Sequence, residues 1–312
     1  MARSEFVREL EYQLCDVFTA TPLEGNQLAV FLDAGSLSSE EMQALAKETN
    51  LSETTFICRR DAPTERERGV RVRIFTTQEE LPFAGHPTLG TAATIRRTFP
   101  EYEGAARIVL DLNAGPVPVV FPADRNRAGD RSAGDKSGAA FGEMMQPDPV
   151  FGATHDAATV APLLGLRAED CATESQPQTV STGLPYCVVA LLSTEALGRL
   201  RVDLARSEEY FRGSDAKFFY VIAPEASGVW RARMQFYNGE DPATGSGAGC
   251  AIAYMVQHGI AAPREQLHLH QGVEIRRPSD LYVSANSVSG KIAEVRVAGS
   301  TVRVANGRFF LE

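Results

Sequence analysis

No run of apolar residues in this 312-residue chain approaches the ~20 that a helix needs to cross a bilayer. The charged opening Met-Ala-Arg-Ser-Glu-Phe is not followed by the apolar stretch of a secretory signal, so a cytoplasmic protein with no membrane partner is expected. Cysteine is scarce. Cys15, Cys58, Cys171, Cys187 and Cys250 are odd in number and widely spaced, with no C-x-x-C pair, which argues against a disulfide framework and fits reduced, buried thiols. Positive charge is also short, with 31 Lys+Arg against 40 Asp+Glu, a net charge of -9 and a pI of about 5.2. An acidic surface repels phosphate backbones and anionic lipid, so nucleic acid is not an expected partner. The chain lacks G-x-G-x-x-G, a P-loop and G-x-S-x-G, which leaves dinucleotide, nucleotide and α/β-hydrolase readings without support.

What is present reads as a globular chain. Hydrophobic residues make up 44%, enough for one large core or two ordinary ones, and two domains suit this length better. Gln13–Phe18 and Leu28–Leu32 read as strands flanking a loop at Gly25-Asn26. Ser38-Ser39-Glu40-Glu41 is a capping box, and Met42, Leu45 and Ala46 follow at helical spacing, so a helix is expected over 39–49 with Asn50 as its stop. Val70–Phe75 alternates as a strand. After Phe83-Ala84-Gly85-His86-Pro87-Thr88, residues 89–97 are mostly small and apolar, which predicts a buried helix with Pro87 in its first turn. Residues 123–140 are polar and rich in Gly and Ser, the composition of a mobile loop or hairpin tip.

The second half echoes the first. Gly183-Leu-Pro-Tyr-Cys-Val-Val follows the Gly25 segment by 158 positions (183 − 25), and Arg231-Ala-Arg-Met follows Arg71-Val-Arg-Ile by 160 (231 − 71). Asp241-Pro-Ala-Thr-Gly-Ser-Gly and the small apolar run after it echo the Gly85-His86-Pro87 loop and its helix, with Ser246 falling 158 after Thr88. These echoes predict duplicated α/β domains with a cleft between two loop-to-helix turns. The domains are placed at 1–130 and 131–299. The runs Glu294–Val297 and Val302–Val304, broken by Gly290, Gly299 and Gly307, read as strands closing the second sheet, with the last, near 300–312, returning to the first domain.

A helix start offers unpaired N–H groups and about half a positive charge. Small residues at Gly85-His86 and at Gly245-Ser246 let a ligand approach such a start, which suits a carboxylate or a developing enolate. Glu53 stands between a helix end and apolar Phe56-Ile57-Cys58. It could be a partly buried acid/base group, although spacing alone favours a cap for its own Ser-Glu-Thr-Thr turn. His86 could orient a substrate or shuttle a proton, or simply cap a helix. Asp241 is expected as an N-cap and could alternatively orient His86 or a substrate amine. His268 and His270 share a strand face, but no convincing third ligand lies nearby, so no metal is expected.

Taken in order, Gly25-Asn26-Gln27-Leu28-Ala29-Val30, Asn50-Leu51-Ser52-Glu53-Thr54, Phe83–Leu89, Asp241-Pro242-Ala243-Thr244-Gly245-Ser246 and Gln271-Gly272 through Arg277-Pro278-Ser279 resemble the phenazine-biosynthesis isomerase (PhzF-like) family from residue 12 onward. The resemblance implies a diaminopimelate-epimerase-like α/β (α+β) fold: two similar domains, each a curved, mostly antiparallel sheet wrapped around a central helix. It also implies a homodimer and no cofactor. By resemblance Glu53 shuttles the proton, His86 and Asp241 bind and orient the small carboxylate-bearing substrate, and Gly85, Gly245 and Ser246 hold its charge. The named family reaction isomerises a dihydro-hydroxyanthranilate. Gln27 departs from the proline often found there, and the 123–140 insertion is long for the family. The alternatives are an amino-acid racemase or epimerase on the same fold, or a non-catalytic binding protein. Two-thiol racemisation is disfavoured because neither 82–90 nor 238–249 contains Cys.

Overall fold

The computed structural model describes residues 7–122, 138–237 and 239–311; the segment 123–137 of the expected loop lies outside them. The chain divides into two compact units, one made of residues 1–23, 27–142 and 300–312, the other of 24–26 and 143–299. No helix among the described residues is long and apolar enough to span a membrane.

The first unit contains β1 (Arg8–Val17), β2 (Asn26–Phe31, from Gln27), α1 (Ser39–Thr49), β3 (Glu53–Cys58), α2 (Ala62–Arg68), β4 (Val70–Phe75), β5 (Glu80–Leu81), α3 (Gly85–Thr98), β6 (Arg107–Leu112) and β7 (Gly115–Val120). Its sheet runs β1-β2-β3-β4-β6-β7, parallel at β2–β3 and β4–β6 and antiparallel at β3–β4 and β6–β7. Strand alternation assigns the two faces. On β3, Thr54 and Phe56 look toward α1, where Thr54 shares a 2.7 Å hydroxyl bond with Thr49 and Phe56 joins Phe31, Met42 and Leu45 in a core. Thr55 looks the other way, accepting a 2.8 Å bond from Thr91 of α3. The sheet wraps around α3, whose residues are buried from Gly85 to Ile95.

The chain passes into the second unit within β8 (Ala140–Met145) and leaves it within β18 (Lys291–Leu311); between them the second unit holds β9 (Val150–Thr154), α4 (Ala157–Val160), β10 (Gln178–Ser181), β11 (Pro185–Ala190), α5 (Thr194–Gly198), α6 (Leu204–Arg212), β12 (Phe218–Ala226), β13 (Val229–Arg233), β14 (Gln235–Phe236), β15 (Gly239–Glu240), α7 (Gly245–Gln257), β16 (Leu267–Gln271) and β17 (Ser279–Val288). Its order is β9-β10-β11-β12-β13-β16-β17-β18, again parallel at two places, β11–β12 and β13–β16. Cys187, Val189, Phe219 and Val221 pack outward against Leu163, Leu164, Leu197 and Leu200. The intervening Tyr186 and Tyr220 face α7, the buried central helix.

Two sequence expectations need correction. The central helices start at Gly85 and Gly245, 160 apart (245 − 85), which aligns Ser246 with His86 rather than with Thr88. The C-terminal segment is not a set of short runs either. β18 continues for 21 residues through Gly299 and Gly307. Only Gly290, at φ +78°, turns the chain. Gly307 is needed because the Tyr12 ring lies over it, 2.7 Å from where a Cβ would stand. Beyond residue 300 this strand pairs antiparallel with β1, Arg8 opposite Leu311.

Close packing of α3 gives a test. A Cβ at Gly90 would stand 2.6 Å from Leu28 Cδ2 and 2.8 Å from Val17 Cγ2. Gly→Ala inside a helix normally stabilises by about 1 kcal/mol. Here overpacking should win, and Gly90→Ala should destabilise by about 1–3 kcal/mol in urea denaturation. A rise in midpoint would show that the strands yield to α3.

Candidate active site

Glu53 is the first residue of β3. Asn50 ends α1 in the left-handed conformation (φ 52°), and the chain turns through Leu51-Ser52 to pair Glu53 with Leu28 of parallel β2. Glu53, Thr54 and Thr55 thus stand in a strand rather than in the turn that spacing favours. Because side chains alternate, Glu53 shares the α3-facing side with Thr55. Its Oε2 stands 3.7 Å from Nε2 of His86, in the first turn of α3, with the two side chains 16% and 3% exposed. That distance is contact rather than a direct hydrogen bond. Burial pushes the His86 imidazole down to about 3, against a hydrogen bond to the Gln27 backbone that pulls it upward. The neighbour of Glu53 near neutral pH is therefore an uncharged imidazole.

The start of α3 differs from those of the outer helices. Ser38, Asp61, Asp156, Ser193 and Asp203 each cap their helix with a side-chain oxygen. Ala84 and Thr244, the N-cap residues of α3 and α7, make no such bond. N–H groups at a helix start attract negative charge, and these two starts, Gly85-His86 and Gly245-Ser246, are buried.

In the second unit, Asp241 is not the expected N-cap; that position belongs to Thr244. Its Oδ1 accepts a 2.7 Å bond from Asn26 Nδ2 and its Oδ2 a 2.6 Å bond from the Thr244 hydroxyl. Asn26 also donates to the Ala243 carbonyl, 2.8 Å. Gln271 spans the same loop. Its amide nitrogen donates to the Asp241 carbonyl and the Thr244 hydroxyl, both at 2.9 Å, and its amide oxygen accepts from Thr244 N–H and Tyr220. Ser246 lies 2.8 Å from the Tyr186 hydroxyl. The loop before α7 is thus held by Asn26, Gln271, Tyr220 and Asp241 itself. Asn26 and Gln271 stand within recognisable motifs, but nothing in their spacing indicates this joint task.

Thiol chemistry finds no support. Burial pushes the Cys15 thiol up to about 12 and those of Cys171 and Cys250 to about 11, and it raises Cys58 and Cys187 as well. A buried thiol held neutral is a poor base. The histidine pair on β16 has the third donor that its spacing did not reveal: Asp280, opposite His270 on β17.

An open cavity of about 850 Å³ in the first unit is lined by residues that include Glu65, Gly69, Tyr102, Arg107 and Asp111, and by none of the candidate site residues.

The family model for phenazine biosynthesis-like proteins matches residues 15–307. An uncharacterized isomerase of Mesorhizobium japonicum is 37% identical, covering 96% of this chain and 98% of its own length. The trans-2,3-dihydro-3-hydroxyanthranilate isomerase of Pseudomonas aeruginosa is 33% identical, over 96% and 99%. A solved structure from the same organism, described as a predicted epimerase, is 37% identical with a TM-score of 0.79 and covers 97% of this chain and all of its own (100%).

The buried His86 predicts an acid-sensitive fold. Its folded value near 3 lies below the ordinary ~6.5 of an unfolded imidazole. Below that value the unfolded chain takes up a proton that the folded chain refuses, so this stabilising contribution, complete above pH ~6.5, is lost as pH falls toward 3. Between pH 7 and 5 the wild type should lose about 2 kcal/mol more than His86→Gln does, measured by urea midpoints. Equal losses would mean that His86 titrates freely.

Proposed function

The chain belongs to the phenazine biosynthesis-like protein family and is an isomerase, and from that premise we propose that it shifts a proton on a small carboxylate-bearing substrate by acid/base catalysis at Glu53. The observation that carries this reading is the placement of Glu53 against neutral His86, 3.7 Å apart, at the uncapped start of a buried helix. A carboxylate can remove a proton from one carbon and return it to another on the same face, so one group serves both half-steps. His86, uncharged, orients the substrate. Each central-helix start, Gly85 in its unit and Gly245-Ser246 in the other, offers N–H groups that suit a carboxylate or charge that develops during the shift. Asp241 acts by holding its loop, since both of its oxygens are engaged there.

The substrate class is a cyclic, unsaturated amino or hydroxy acid, of which the dihydro-hydroxyanthranilate named for the Pseudomonas aeruginosa relative is the model. Such a shift needs no redox partner, so no cofactor is invoked. The working form is a homodimer in the cytoplasm. A two-thiol racemase is disfavoured by the five raised thiols.

Solvent-deuterium incorporation into dihydro-hydroxyanthranilate tests the proposal. Glu53→Gln keeps shape and reach but cannot accept the proton, and turnover should fall by about 10,000-fold or more, with substrate binding changed far less. His86→Ala and Asp241→Ala should weaken both binding and turnover. Near-normal exchange by Glu53→Gln would reduce Glu53 to a structural residue and move the proton to another group.

A further inference from the structure

On β16 the buried residues are Leu267, Leu269 and Gln271, which leaves His268 and His270 on the opposite, partly exposed face. Their rings stand 4.2 Å apart between centroids, and His268 stacks on Tyr282 at 4.7 Å with the planes only 13° apart. Both Nε2 atoms converge on one oxygen, Oδ1 of Asp280, at 2.8 Å from His268 and 3.5 Å from His270. The antiparallel register explains this, because it sets Asp280 opposite His270 and Tyr282 opposite His268. The other nitrogen of His270, Nδ1, lies 2.7 Å from Glu225 Oε2. Glu225 is in turn fixed by Arg231 at 2.6 Å, and Arg231 by Glu274 at 3.1 Å.

We propose that His268, His270 and Asp280 form a binding site for a late first-row divalent cation, with zinc as its model occupant. The three donor atoms all lie within 4.8 Å of one another. A tetrahedral zinc with ligand bonds of about 2.0–2.1 Å separates its donors by about 3.4 Å, so small side-chain adjustments suffice. Two imidazoles and one carboxylate are a donor set for zinc, copper or nickel rather than for calcium or magnesium. Glu225 supplies the supporting interaction such sites use: a carboxylate on Nδ1 fixes the ring and its tautomer and leaves Nε2 to bind the metal. Asp280, with its side chain 49% exposed, gives access from solvent and room for water to complete the coordination. The ion would tie β16 to β17 on the face opposite Gln271, which braces the loop before α7.

Trp230, the chain's one tryptophan, pairs with Leu269 on the neighbouring strand, on the opposite sheet face but only one residue from Val229 and Arg231, which pair with His268 and His270, so bound copper can quench it. The untagged full-length chain, stripped with EDTA, is titrated with zinc by calorimetry and with copper by Trp230 fluorescence. Expected are one saturable equivalent of zinc, stoichiometric quenching by copper, and an increase in Tm with zinc. His268→Asn and His270→Asn should each weaken zinc about tenfold or more, and Asp280→Asn, a same-size change, should weaken it severalfold. Circular dichroism checks that each variant is folded. No saturable zinc binding below about 1 mM, or affinity within about twofold of wild type in folded His268→Asn/His270→Asn, overturns the site.

Discussion

A helix buried on every side sets the terms for both units. α3 and α7 lie against their sheets with nearly every residue out of water, so their side chains must be small where strands approach and their first N–H groups cannot be left to bulk solvent. The outer helices meet the second requirement with Ser or Asp caps; the central ones do not. What surrounds their starts is instead distinctive: Glu53 and His86 at α3, and the bonded set of Asn26, Asp241, Thr244 and Gln271 before α7. The proposed chemistry and the packing therefore fall at the same positions. The polarity of the helix start is the feature that the proposed carboxylate substrate would use, and the burial that strengthens it also keeps His86 neutral.

Local pattern made much of the fold legible. The capping box at Ser38 and the stop at Asn50 bound α1 as read, because both are short-range signals whose chemistry is complete within one turn. Val70–Phe75 alternates and is a strand of those limits. The apolar runs after Pro87 and Gly245 are buried helices, since a helix without a polar face has nowhere else to go. In the sequence Ser246 falls opposite the wrong partner, Thr88, because the two halves differ in loop length and an offset of 158 at the Gly25 segment becomes 160 at the central helices (245 − 85). The glycines of β18 were read as breaks, yet Gly307 admits an aromatic ring, a role that only the opposite strand reveals.

Residues whose task depends on distant partners were the least legible. Asp241 reads as a cap from its neighbours, while its bond to Asn26 joins positions 215 residues apart. Gln271 gives no sign of bracing a loop that precedes it by some thirty positions. Asp280 stands within twelve residues of His268, but only the β16–β17 register turns that separation into a 2.8 Å contact. Glu53 is legible only through resemblance, since spacing alone favours a cap. Its orientation comes from strand alternation, which turns it toward α3.

The long pairing of β18 with β1 has a consequence for synthesis on the ribosome. Arg8 is matched with Leu311, 303 residues later in the chain (311 − 8). While the chain is being translated, one edge of the first sheet stands open and β1 has only β2 beside it. Loop-closure entropy against such a late contact is large, and unpaired strand edges recruit other chains. The first unit, although begun first, cannot be finished first. Translation has to reach β18 before that edge closes, which leaves an unpaired strand on the nascent chain until then.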